Sequence, residues 1–128
     1  PLAAGKLGNN RAFLTAVAGI FEKLGRNSEA LDLYRKTAAM APDDYTAWAN
    51  EAALLEKMGS NDAAIEVYQH ILGIKNVPPV VLAGYRVKLA RLYEASGRKT
   101  MAIGQYKEAL KNDPNNAEAK EAVKRLGG

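Results

Sequence analysis

Leu14 to Pro42 read LTAVAGIFEKLGRNSEALDLYRKTAAMAP, and this stretch decides the fold because the chain states it again. Four of its residues, Ala18, Gly25, Ala30 and Tyr34, return 34 positions later as Ala52, Gly59, Ala64 and Tyr68. They return once more, 38 positions further on, as Ala90, Gly97, Ala102 and Tyr106. One register with a single four-residue insertion accounts for all four series. A period of this length marks stacked supersecondary units, each too small to bury its own apolar surface, and not one globule built round a reaction centre.

The punctuation between units is helical. Arg11 to Leu24 carry Phe13, Leu14, Val17, Ile20, Phe21 and Leu24 at helical spacing, and Gly25 supplies the left-handed residue that ends the helix. Asn27 or Ser28 is placed to cap a second helix that turns Ala30, Leu31, Leu33 and Tyr34 inward and runs to about Ala41, before Pro42. Asp43 and Asp44 put a cap and negative charge at the start of a third, which presents Trp48, Ala52, Leu55 and Met58 and stops at Gly59. Asn61 is expected to cap the fourth, with Ala64, Ile65, Val67, Tyr68, Ile71 and Leu72 as its apolar residues. The insertion falls around Gly73 to Pro79, and Pro79 reads as the first-turn residue of a longer fifth helix, Val80 to Ser96. A sixth spans about Lys99 to Lys111 with Ala102, Ile103, Tyr106 and Leu110 inward. Asp113-Pro114-Asn115-Asn116 then restarts a seventh, Ala117 to Leu126, whose charge and few large apolar residues (Val123, Leu126) fit a capping helix. Pro1 to Asn10 read as the frayed remnant of a preceding repeat, with a simple tail as the alternative.

Composition narrows the function classes. With 48% hydrophobic and 25% charged residues the chain is an ordinary folded domain, not a disordered one. Its longest apolar run, Val77 to Gly84, holds two prolines and falls far short of the roughly 20 residues that cross a bilayer. The absence of cysteine excludes disulfides and thiolate metal sites, and leaves compartment and localisation open. The net charge of +4 is mild, and its lysines alternate with acids (Glu22-Lys23, Glu56-Lys57, Lys107-Glu108), which argues against a nucleic-acid footprint. Because it opens at Pro1 without a methionine, the chain is expected to be a piece of something longer, with any signal segment upstream.

Candidate chemistry is sparse. His70 is the sole histidine and has no cysteine or second histidine with which to share a metal, so it reads as a surface or groove residue. Gly97-Arg98-Lys99-Thr100 is similar to the tail of a phosphate-binding loop, yet the glycine spacing and the strand before it are missing, and in this register it is a hairpin turn. Glu22, Glu56 and Glu94 recur with the repeat and read as a solvated row, not as an acid/base pair. Trp48 stands where the first repeat has Leu14, so it reads as packing. No catalytic residue, cofactor or metal is expected, and the chain is not expected to be an enzyme.

The spacing of large, small and proline residues resembles the tetratricopeptide repeat (TPR), a helix–turn–helix unit with the pattern W-x2-L-G-x2-Y, A-x3-F and P. Leu14, Val17, Ala18, Phe21, Ala30, Tyr34 and Pro42 carry it in the first repeat. Trp48, Glu51, Ala52, Leu55, Ala64 and Tyr68 carry it in the second, with Glu51 as a departure and Asn76 at the place due a proline. Arg86, Leu89, Ala90, Tyr93, Ala102, Tyr106 and Pro114 carry it in the third, where Arg86 replaces a bulky apolar residue. The resemblance implies an all-α, right-handed superhelical solenoid of antiparallel helix hairpins, about seven helices in all. Its divisions are residues 1–10 as tail or remnant, 11–44, 45–82 with the insertion, 83–114, and 115–128 as capping helix and tail.

The resemblance also implies a function: a non-catalytic scaffold that binds a partner peptide or helix on the concave face, lined by the first helix of each hairpin. Carried over, the partner-binding residues are Thr15, Gly19, Asn50, Ala53, Val87, Lys88 and Arg91. Most are small, leaving room for a segment to lie close to the backbone, while Lys88 and Arg91 would steer acidic groups. A subset of the family clamps a C-terminal carboxylate with Lys and Asn positions; here Asn50 and Lys88 match it, and Thr15, Gly19 and Gly84 do not. The expected partner is therefore a protein or peptide with acidic groups, not nucleic acid and not a membrane interior. The alternative is a regulatory or self-assembly arm of a larger enzyme or secretion machine, in which the array contacts its own chain or copies of itself.

Overall fold

The computed structural model describes residues 10–128, and the elements among them are all helices. These are α1 (Arg11–Lys23), α2 (Asn27–Met40), α3 (Tyr45–Lys57), α4 (Asn61–Leu72), α5 (Pro79–Ala95), α6 (Lys99–Asn112) and α7 (Ala117–Leu126). The reading of residues 1–9 as a repeat remnant lies outside the described residues.

Local chemistry repeats with the sequence. Asn10, Asp44 and Asn116 each sit just before a first-type helix, and each side chain accepts a backbone N–H of the first turn: Phe13 at 3.0 Å, Thr46 at 3.0 Å and Ala119 at 2.9 Å. Such caps satisfy donors that a helix start otherwise leaves unpaired. At the other end Gly25, Gly59 and Gly97 take φ of 76°, 79° and 76°, a conformation costly for any residue with a Cβ. Each lets the following N–H reach back to a carbonyl of the last turn, Arg26 to Phe21, Ser60 to Leu55 and Arg98 to Tyr93, all at 2.8 Å.

After this turn α2 and α6 start without a side-chain cap. Arg26 and Arg98 occupy the cap positions of α2 and α6 and form no cap bond. Asn27 and Asn61, expected as caps, are instead the first residues of α2 and α4. Asn27 Oδ1 is buried with no hydrogen-bond partner. The fifth helix starts at Pro79, whose missing N–H costs nothing in a first turn. It ends at Ala95, one residue before the expected end.

The chain forms two compact units, Pro1–Ala64 and Ile65–Gly128, with the boundary inside α4. In the first unit α2 packs against both α1 and α3; in the second α6 packs against both α5 and α7. Ala18, Ala30, Ala52, Ala64, Ala90 and Ala102 all have zero exposure, so every small position of the repeat is sealed. A larger side chain at any of them would overpack a filled interior. Tyr34, Tyr68 and Tyr106 are buried as well. Trp48 is half-buried and its indole N–H donates to Pro42 O at 2.9 Å, so it packs and also ties α3 to the linker before it. Arg86, where the family has a bulky apolar residue, reaches α6 with polar contacts to Asn112 (2.9 Å) and Gln105 (3.1 Å).

Glu51 is the unusual residue of the first unit. It is 6% exposed, one oxygen lies 3.4 Å from Arg35 Nε on α2, and the other has no partner. Its counterparts are Leu89, fully buried, and Val123. A buried carboxylate with an unmatched lone pair costs more than a well-packed apolar residue of similar size. Glu51→Leu is therefore expected to raise stability by about 1–2 kcal/mol in urea denaturation, with the m-value unchanged.

Candidate functional site

The residues expected to bind a partner fall on α1, α3 and α5. In the first unit Gly19 is half-buried, and a Cβ built on it would meet no atom within 4 Å. Ala53 is exposed and Asn50 half-buried. Thr15 is half-buried, and its hydroxyl donates to Arg11 O (2.8 Å), one turn back on the same helix. In the second unit Gly84 likewise has open space beside it, and Lys88 is exposed with no hydrogen bond or ion pair.

Val87 does not belong to this set. It is 4% exposed and lies on one stripe with Ala83 and Ala90, both fully buried, so it is core and not surface. The helix α5 runs 17 residues against 13 for α1 and α3, and spacing by four and three continues its buried stripe through residue 87.

Arg91 is exposed, and its guanidinium is paired with Glu118 of α7. Beside this pair, Glu94 accepts Tyr106 Oη–H at 2.6 Å from α6 and Arg125 at 3.0 and 3.1 Å from α7. One carboxylate thus joins α5, α6 and α7. In the first unit Glu22 accepts Tyr34 Oη–H at 2.7 Å and Lys57 at 3.3 Å. Glu22 and Glu94 are consequently half-buried anchors and not the solvated row expected from their spacing. The signal was present in the sequence, since both glutamates precede their tyrosines by 12 positions.

The titration of these groups follows from their partners. The Arg125 hydrogen bond, followed by that from Tyr106, holds the Glu94 carboxyl below its ordinary value. Burial, followed by the glutamate beside each, pushes the Tyr34 and Tyr106 hydroxyls up to about 12. Charge is distributed unevenly: Ile65–Gly128 hold eleven Lys and Arg against six Asp and Glu, whereas Pro1–Ala64 hold seven against eight. Among the described residues no cluster of His, Cys, Asp and Glu could hold a metal ion, and no helix is long and apolar enough to cross a membrane.

Family comparison agrees with this architecture. Tetratricopeptide-repeat models match residues 20–78 and 87–118. The chain belongs to the tetratricopeptide repeat family. Its TPR hairpins are similar to the N-terminal domain of stress-induced protein-1 (STI-1) from C. elegans, with a TM-score of 0.83 at 13% identity over 92% of this chain and 94% of that one. They are also similar to the first TPR of Spaghetti (RPAP3) bound to the HSP90 peptide SRMEEVD, with a TM-score of 0.72 at 18% identity over 91% and 90%. A third similar structure is the Yersinia enterocolitica type III secretion chaperone SycD in complex with a peptide of the translocator YopD, with a TM-score of 0.67 at 19% identity over 89% and 84%. At these identities the likeness concerns the fold. No curated protein matches the TPR chain.

The Glu94 anchor makes a prediction about acid stability. A carboxyl depressed in the folded state stabilises the fold above its ordinary value near 4.5, and the contribution is lost as pH falls through the folded value. Glu94→Gln is expected to melt below wild type at neutral pH, with the two midpoints converging at pH values below about 4.

Proposed function

We propose that this TPR chain is a non-catalytic interaction module that holds a segment of a partner protein against its first-type helices. The observation that carries the reading is the open space beside Gly19 on α1 of the first unit and, separately, beside Gly84 on α5 of the second; on α3 Ala53 is exposed and Asn50 half-buried. A helix face without bulk lets an extended chain or a second helix approach the backbone closely, where Asn50 can hydrogen-bond main-chain groups. The similar structures support this reading, because RPAP3 is bound to an HSP90 peptide and SycD to a translocator peptide.

Lys88 supplies the unpaired positive charge for an acidic group of the partner. Arg91 contributes less than its sequence position implied, since Glu118 already neutralises it. Asn50 and Lys88 match the carboxylate clamp in sequence while Thr15, Gly19 and Gly84 do not, so recognition rests on an internal acidic segment more than on a free chain end. Steering by the net positive second unit makes association faster at low salt.

Two substitutions separate binding from folding. Gly19→Leu and Gly84→Leu fill open space on helices where leucine is the better helix former, so stability is expected to hold or rise by about 0.5–1 kcal/mol. Partner capture from source-cell lysate, quantified by mass spectrometry, is expected to fall at least tenfold for either variant and for Lys88→Glu. Retention of the same proteins by wild type and by all three variants would overturn the assignment of this face.

A further inference from the structure

One position of the first-type helices changes character along the chain. It is Gly19 in α1 and Ala53 in α3, but Arg91 in α5 and Arg125 in α7. Each arginine meets a carboxylate of the other helix, Arg125 that of Glu94 and Arg91 that of Glu118. These two crossed pairs between α5 and α7 are built differently.

Arg125 holds Glu94 with two nitrogens, one on each carboxylate oxygen, and Tyr106 donates to the same carboxylate from α6. The Glu94 side chain is 25% exposed. A forked pair with a third hydrogen bond, largely withdrawn from water, belongs to the framework. Arg91 meets Glu118 through the single oxygen Oε2, and the two side chains are 53% and 47% exposed. Ion pairs so open to water are screened and add little to stability, so one partner exchanges readily for another. Glu118 also stands in the first turn of α7, where the helix dipole favours a negative charge whether or not an arginine lies beside it. Parting from Arg91 therefore leaves both the carboxylate and α7 supported.

Lys88 lies three positions before Arg91 on α5, a spacing that makes the two side chains neighbours on the helix surface. It is exposed and carries no hydrogen bond or ion pair. Two adjacent cations suit closely spaced acidic groups of a bound segment, and the chain's own Glu118 already occupies one of them. We infer that Glu118 is an internal competitor for the acid-binding position at Arg91, and that an acidic segment of a partner protein binds across Lys88 and Arg91 by taking the place of Glu118. The inference rests on the reading of α5 as a partner-binding helix. A carboxylate tethered on the same chain competes at high effective concentration, so a small free anion does not displace it. A segment already anchored at Lys88 competes on equal terms. Glu118 thus lowers the affinity for acidic ligands and reserves Arg91 for those that bring several charges.

The test uses the whole chain and a fluorescein-labelled hexaglutamate peptide with both ends blocked, its affinity read by fluorescence anisotropy at low salt. Glu118→Gln is expected to bind the peptide about three- to fivefold more tightly than wild type, and to melt within about 3 °C of it. Glu121→Gln removes the same charge from an exposed position of the same helix, and is expected to change the affinity by less than about 1.5-fold. On an Arg91→Gln chain the Glu118 substitution is expected to bring no gain. Absence of tightening with Glu118→Gln, equal tightening with Glu121→Gln, or the same gain on the Arg91→Gln chain overturns the inference and leaves α5 as the acid-binding helix. If Lys88→Gln and Arg91→Gln both bind as wild type does, or if neither wild type nor Glu118→Gln binds the peptide, the reading of α5 falls and the inference falls with it.

Discussion

Everything in this structure depends on the close approach of two helices within a hairpin. The alanines at the contact have no exposed surface at all, and the glycine turn that joins the helices permits no slack. Once the backbones are that near, the tyrosine twelve residues after each anchoring glutamate is brought within hydrogen-bond reach of it. The Tyr–Glu bond is a result of the packing and also a lock on it. A buried hydroxyl and a half-buried carboxylate meet only when the two helices are correctly aligned along their length.

The fold was legible because its signals are local and repeated. Alanine, glycine and tyrosine at fixed intervals report packing distance, turn conformation and gap filling, and none of these needs knowledge of distant partners. Caps were less legible. Asn27 and Asn61 have the chemistry of a cap, but each is the first residue of its helix, one position inside the place a cap occupies. Asn10, assigned to the tail by its sequence, turned out to cap α1.

The candidate site was read less completely, and the reason is that exposure and pairing are tertiary facts. Val87 has the spacing of a groove residue, yet it lies in a stripe with two sealed alanines. Arg91 has the charge for an acidic partner, and an acidic residue 27 positions away already meets it. Glu22 and Glu94 looked like solvent-facing acids because their partners are contributed by other helices. Lys88 and Ala53 are exposed and Gly19 is half-buried, orientations that short-range periodicity alone is enough to set. Glu51 shows the converse: a polar residue at a core position was visible in the sequence, but its half-satisfied state required the neighbouring helix.

The long α5 has a consequence of a different kind. It exceeds α1 and α3 by four residues, which in an α-helix is one turn plus about 40°. Added at the N-terminal end, that turn leaves the spacing of Ala90, Tyr93 and Gly97 within the helix untouched. Pro79 to Leu82 are therefore an overhang on a framework that does not require them, and Val80, 66% exposed, is its most accessible large side chain. Such a segment is free to diverge: lengthening, shortening or recolouring it alters what the outside world meets there while the repeat behind it keeps time.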